Sequence, residues 1–262
     1  MQGMCRRANV TVPVTALWTS PTAPRDVDRW AVAPRPDVLA WLADLDAAEA
    51  RPGLRGRMLT QLECGEPVLI TGDPDGRMGS ADQSWRQVVA PMQPSSLDAR
   101  GYPGWVLAEH IGEQVPDCAQ LENATERPER ATEARAFVAM ARTHLGVQYL
   151  WGGMSEAALD RSGLVHLFLR RLGVVVPRDA GDQYDACDHI PAARARPGDL
   201  FFFARAGKRP HHVGIVTEPG RMLHAPQPGS TVIEETLTPA RLSALVGAGR
   251  LPLLASAPRS IG

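Results

Sequence analysis

The chain is short of cysteine and of aromatic side chains, with four cysteines and 5% Phe, Trp and Tyr in 262 residues. Cys5, Cys64, Cys118 and Cys187 stand far apart, none in a Cys-x-x-Cys pair and none in a Cys/His cluster with zinc spacing. That pattern speaks against a disulfide framework and against a metal centre, so all four are expected as scattered thiols. Long hydrophobic runs are also missing, and nothing approaches the ~20 apolar residues of a membrane-spanning helix. The first residues, MQGMCRRANVTVPVTALW, hold two arginines but no continuous apolar region after them. They do not read as a signal peptide, and a cytoplasmic protein is expected. A net charge of −1 gives no reason to expect nucleic acid or an anionic membrane as partner. No cofactor is expected, and no internal repeat is visible.

What is present is an ordinary apolar fraction, 44%, in a chain long enough for one large or two ordinary domains. In the first half, Val10, Val12 and Val14 alternate as a strand would. Residues 37–50 place Val38, Leu39, Trp41, Leu42 and Leu45 at helical spacing behind Asp37, a good N-cap. Residues 57–71 read as two strands joined near Gly65, 72–83 as a turn-rich loop, and 84–91 and 105–111 as further strands. Short strands with Gly/Pro turns predict a small barrel over about 9–112, with a helical insertion at about 28–54. A polar linker is expected at 113–130, then an α+β domain over 131–255. That domain opens with a helix to Leu145, with Phe137, Val138, Ala141 and Leu145 on one face.

The stretch Tyr149–Gly163, YLWGGMSEAALDRSG, organises the second half. It runs through two glycines and a polar link into Asp160-Arg161-Ser162-Gly163. Then Leu164, Val165, Phe168, Leu169 and Leu172 recur at helical spacing, with Gly173 as the stop. Residue 161 therefore sits in the first turn of a buried helix, where free N–H groups and the dipole favour an anion or a thiolate. The chain puts an arginine there. Downstream, PGDLFFF (197–203) reads as a turn into a buried strand, HVGIV (212–216) as its neighbour, and MLHAP (222–226) as the next.

These four blocks, in this order, resemble the NlpC family of papain-like cell-wall cysteine peptidases, whose signature is Tyr-x-Trp-Gly-Gly followed by Asp-Cys-Ser-Gly. The resemblance covers roughly residues 130–237 and implies a papain-like α+β fold. It also implies cleavage of the γ-D-glutamyl–diamino acid bond of peptidoglycan stem peptides by a Cys-His-His triad. His212 and His224 fill the two histidine positions, and Arg161 stands at the cysteine position. The family's Gly-Phe before Asp-Cys is Ala158-Leu159 here. The resemblance further implies that Tyr149, Asp160 and Ser162 hold the ligand, the last two through a free amine. The first half, with its TQLECGEPV, SWRQVVAP and GYPGWVLAEHI segments, resembles a bacterial SH3-like domain. Such a domain implies a ligand contact for Tyr102.

Arginine is neither nucleophile nor base, because its guanidinium stays protonated and has no free lone pair. Ser162 is one residue on, which turns its side chain by about 100° on a helix. Three readings follow. The domain is a non-catalytic relative that binds a stem peptide or similar small carboxylate ligand, with Arg161 as a fixed positive charge. Alternatively, it is a repurposed enzyme in which His212 acts as base, oriented by His224, while Arg161 clamps an anion. Or it is an active hydrolase whose nucleophile has migrated to Cys187. No sequence feature names a protein partner.

Overall fold

The structure is a computed structural model, and it describes residues 6–71, 84–113 and 130–251. The expected loop at 72–83, nearly all of the linker, Cys5, Cys118 and the last residues to 255 lie outside the described residues. Two units emerge by packing, Met1–Asn123 with Tyr149–Asp160, and Ala124–Gln148 with Arg161–Gly262.

The first unit carries strands β1 (Arg6–Val10), β2 (Val14–Trp18), β3 (Met58–Glu63), β4 (Pro67–Ile70), β5 (Trp85–Ala90), β6 (Tyr102–Leu107) and β7 (Ile111–Gly112). They form one sheet in the order β3-β2-β6-β5-β4-β1-β7. The inward residues Val10, Leu17, Leu62, Val68, Val88 and Val106 are fully buried. The alternation read as one strand is two, because β1 and β2 are separated by residues 11–13. Helix α1 (Val38–Ala47) begins where the cap predicts, with the Asp37 side chain accepting from the Ala40 N–H at 2.9 Å. Its face of Trp41, Leu42 and Leu45 is buried. The Trp41 ring N–H donates to Asp28, a fully buried carboxylate that Arg25 also engages.

Tyr149–Asp160 packs with this unit, so the expected boundary at residue 131 does not coincide with the packing. The reason is a set of bonds to and around β3. The Trp151 ring N–H donates to the Met58 carbonyl at 3.0 Å, and the Met154 N–H to Gln61 Oε1 at 2.8 Å. Arg51 donates to the Tyr149 carbonyl at 2.6 Å. Gly152 has φ +75°, and a Cβ there would lie 3.2 Å from the Leu59 carbonyl oxygen. The short strands β8 (Gln148–Tyr149), β9 (Met154–Ser155) and β10 (Ala158–Leu159) form a three-stranded sheet of their own in the order β8-β10-β9. Cys64 is disulfide-bonded, which corrects the expectation of four free thiols. Spacing along the chain does not reveal a pairing that the fold creates.

The second unit has helices α2 (Arg130–Arg142), α3 (Arg161–Arg171), α4 (Ala180–Asp185) and α5 (Pro239–Ala244). Its strands are β11 (Asp188–Ile190), β12 (Leu200–Phe203), β13 (His212–Glu218), β14 (Arg221–His224), β15 (Ile233–Thr236) and β16 (Leu245–Arg250). They pair antiparallel in the order β11-β16-β12-β13-β14-β15. All four residues of β12 are buried, as a run of four apolar side chains in mid-sheet requires. Residues 162–169 of α3 are buried without a break, so the helix is enclosed on every side. Leu145 is 47% exposed and lies beyond the end of α2, so it does not belong to that helix's apolar face. The fold is α+β with antiparallel sheets and few helices. Among the described residues, no helix is long and apolar enough to cross a membrane.

Candidate functional site

The second unit brings three of the expected residues together. His212 opens β13 and stands opposite Phe203 of β12, and His224 closes β14. Both side chains are buried. The turn between these strands puts the imidazoles on one face, with His212 Nε2 2.8 Å from His224 Nδ1 and the rings at 75°. Gly214 makes that approach feasible, because a Cβ there would come within 2.6 Å of Met222 Sδ and 3.3 Å of the His224 Cβ.

Burial pushes the His212 imidazole far below its ordinary range, and His224, Arg161, Arg241 and His211 add to the shift. Burial also lowers His224, helped by Arg241 and Arg161 and opposed by Glu235. Both rings are therefore neutral near pH 7. Arg161 begins α3, and its guanidinium donates to the Pro226 carbonyl at 3.2 Å, two residues beyond His224. Its charge lowers both rings.

A sequence model described as the NlpC/P60 family matches residues 146–248, the span that holds these three residues. This span is an NlpC/P60-family domain. A Bacillus subtilis (strain 168) protein named gamma-D-glutamyl-L-lysine dipeptidyl-peptidase is 29% identical over 280 residues, covering 86% of this chain and 92% of that relative. The peptidoglycan endopeptidase RipB of Mycobacterium tuberculosis (strain ATCC 25618 / H37Rv) is 28% identical over 216 residues, covering 72% of this chain and 86% of RipB. The crystal structure of an NlpC/P60 family protein from Bacillus cereus ATCC 10987 superposes with a TM-score of 0.82. It covers 94% of this chain and 99% of that one at 21% identity, a likeness of fold.

Within the NlpC/P60 domain, Ser162 is buried, and its hydroxyl accepts from Arg178 at 3.0 Å. Its carbonyl accepts from Gln183 at 3.0 Å, which ties the first turn of α3 to α4. Cys187 does not reach the histidines. It packs against Gly249 and Phe202. Phe202 pairs with Val213, so it points to the face opposite Phe203 and His212. Burial, with Asp188 and Asp199 nearby, pushes the Cys187 thiol up to about 12, so it supplies no thiolate.

Three other expected residues fall in the first unit. Asp160 is buried and accepts from the Gly152 N–H at 2.9 Å, and the Tyr149 ring is fully buried. Tyr102 is 4% exposed in the apolar cluster of the seven-stranded sheet.

The sequence reading missed three participants. Glu235 on β15 places Oε1 3.0 Å from His224 Nε2. Arg241 of α5 donates to the same carboxylate at 3.1 Å. Arg178, 1% exposed, secures Ser162. No sequence signal marks the first, since Ile233-Glu234-Glu235-Thr236 does not alternate and only the β14–β15 register brings Glu235 to His224.

Proposed function

We propose that this NlpC/P60 domain binds a carboxylate-bearing peptidoglycan peptide without thiol peptidase chemistry. The observation that carries the reading is Arg161. It occupies the first turn of α3 and turns its guanidinium toward the Pro226 carbonyl beside the imidazole pair. A fixed cation added to the positive end of a helix favours a carboxylate. The same position offers no sulfur to the His212 base. The relative named for γ-D-glutamyl-L-lysine supplies the ligand class, a peptide with free carboxylates. The seven-stranded first unit is read as SH3-like. The disulfide at Cys64 favours an oxidising compartment over the cytoplasm.

A second reading, an enzyme in which His212 is a base and Arg161 an anion clamp, draws on the neutral, preformed histidine pair at 2.8 Å. Calorimetry and turnover with γ-D-glutamyl-L-lysine peptides separate the two. Binding without cleavage, lost in Arg161→Ala, supports the first reading. Cleavage abolished in His212→Ala but kept in Cys187→Ala supports the second. No binding by the wild type refutes both.

A further inference from the structure

We infer that Glu235 is a positioning residue that fixes which nitrogen His212 presents to the site. An ionised carboxylate only accepts hydrogen bonds. Glu235 Oε1 lies 3.0 Å from His224 Nε2, and Arg241 Nε donates to the same oxygen at 3.1 Å. The imidazole contact does not meet hydrogen-bond geometry, so it acts mainly as a contact between the carboxylate charge and the dipole of the neutral ring. Even so, a bare Nε2 would set lone pair against lone pair at that distance. The proton therefore belongs on His224 Nε2.

A neutral His224 then has a bare Nδ1. The 2.8 Å contact to His212 Nε2 needs one hydrogen, and it comes from His212. His212 is left with a bare Nδ1, which has no protein partner among the described residues. That nitrogen accepts a proton from a water, hydroxyl, ammonium or thiol placed beside Arg161. Were His224 charged, it would donate through Nδ1, His212 Nε2 would accept, and Nδ1 would carry the proton instead. Burial and the Arg241 and Arg161 charges hold His224 neutral, so the carboxylate sets the direction of the relay. The assignment rests on the geometry of the pair and stands apart from what the site binds.

Nitrogen-15 NMR of the imidazoles reads the tautomers directly. At about pH 7.5, wild-type His212 and His224 are both expected as the Nε2–H form. A wild-type His212 protonated on Nδ1 overturns the inference with no variant needed. In Glu235→Leu, the bare-Nδ1 signal of His212 is expected to be lost in part as the alternative tautomer of His224 appears. In Glu235→Gln, whose amide oxygen can still accept, that signal is expected to be retained. A merely structural role moves the melting temperature but not the tautomers. Wild-type tautomers in a folded Glu235→Leu would remove the assignment.

Discussion

The two halves of the NlpC/P60 site are built differently. The strand half, His212, His224 and Glu235, is set by register, since β13 and β14 must pair as they do for the imidazoles to meet at 2.8 Å, and β14 and β15 for Glu235 to reach His224. Each polar group there leans on the next, and losing one leaves a buried partner unsatisfied. The helix half hangs on one side chain at the start of α3. Arg161 is only half-buried, whereas the residues after it are enclosed. A half-buried side chain in that place is expected to weigh less on the fold than the enclosed residues after it.

The sharpest way to break the comparison is to restore sulfur to the helix half. Arg161→Cys places a thiol at a helix N-terminus beside an imidazole, and both features lower a cysteine pKa. Removing the nucleophile of a triad costs about a millionfold in rate. Wild-type protein is accordingly expected to show no thiol-dependent turnover and no response to iodoacetamide, while Arg161→Cys is expected to be alkylated at residue 161. Mass spectrometry of labelled peptides reads the outcome. Cys187 should stay unlabelled in the folded protein. Wild-type turnover that disappears in Cys187→Ala would mean that the nucleophile had moved.

Much of this frame is legible in the sequence. The Asp37 cap and the spacing of Trp41, Leu42 and Leu45 give α1 nearly to its ends. The apolar period after Gly163 gives α3, and the HVGIV and MLHAP blocks give the histidine pair. What escapes has a common cause in long-range contact. His166 reads as a polar interruption of α3, yet it is fully buried. Its Nδ1–H donates to the Val176 carbonyl at 2.8 Å, and burial lowers the ring to about 3. Glu235 looks like a solvent-facing residue until the β14–β15 register brings it to His224. The motif from Tyr149 to Gly163 reads as one piece, but the packing divides between Asp160 and Arg161, because Trp151 and Met154 bond to β3.

The strand half also predicts a pH dependence. His212 and His224 have folded pKa values below the ordinary imidazole value of about 6.5. The unfolded chain then binds more protons below that pH, so the pair's contribution is fully present above about pH 6.5 and is lost as pH falls. Between about pH 7.5 and pH 5 each buried neutral histidine should cost about 2 kcal/mol. His166 adds to the same trend, so the diagnostic is a difference between proteins. Urea titrations of wild type and of His212→Gln/His224→Gln at both pH values should show the smaller acid loss in the double variant. Equal losses would mean that the pair is not held neutral by the fold.

The smallest expected effect is the stability change in Arg161→Ala, and it tests whether the helix half is as independent of the frame as its burial implies. Two terms oppose each other. The variant loses a charged hydrogen bond to the Pro226 carbonyl, 3.2 Å long and half-exposed, worth about 1 kcal/mol in such a setting. It also removes a cation from the positive end of α3, which relieves about 0.3–1 kcal/mol of unfavourable charge–dipole energy. Alanine suits a helix at least as well as arginine. The net change should lie within about 1 kcal/mol of zero. Added salt should widen the gap between the two proteins, because screening the dipole term leaves the lost hydrogen bond uncompensated. Denaturant midpoints at low and high salt measure both quantities. A loss above about 2 kcal/mol would show that Arg161 braces the frame and that the two halves of the site are coupled.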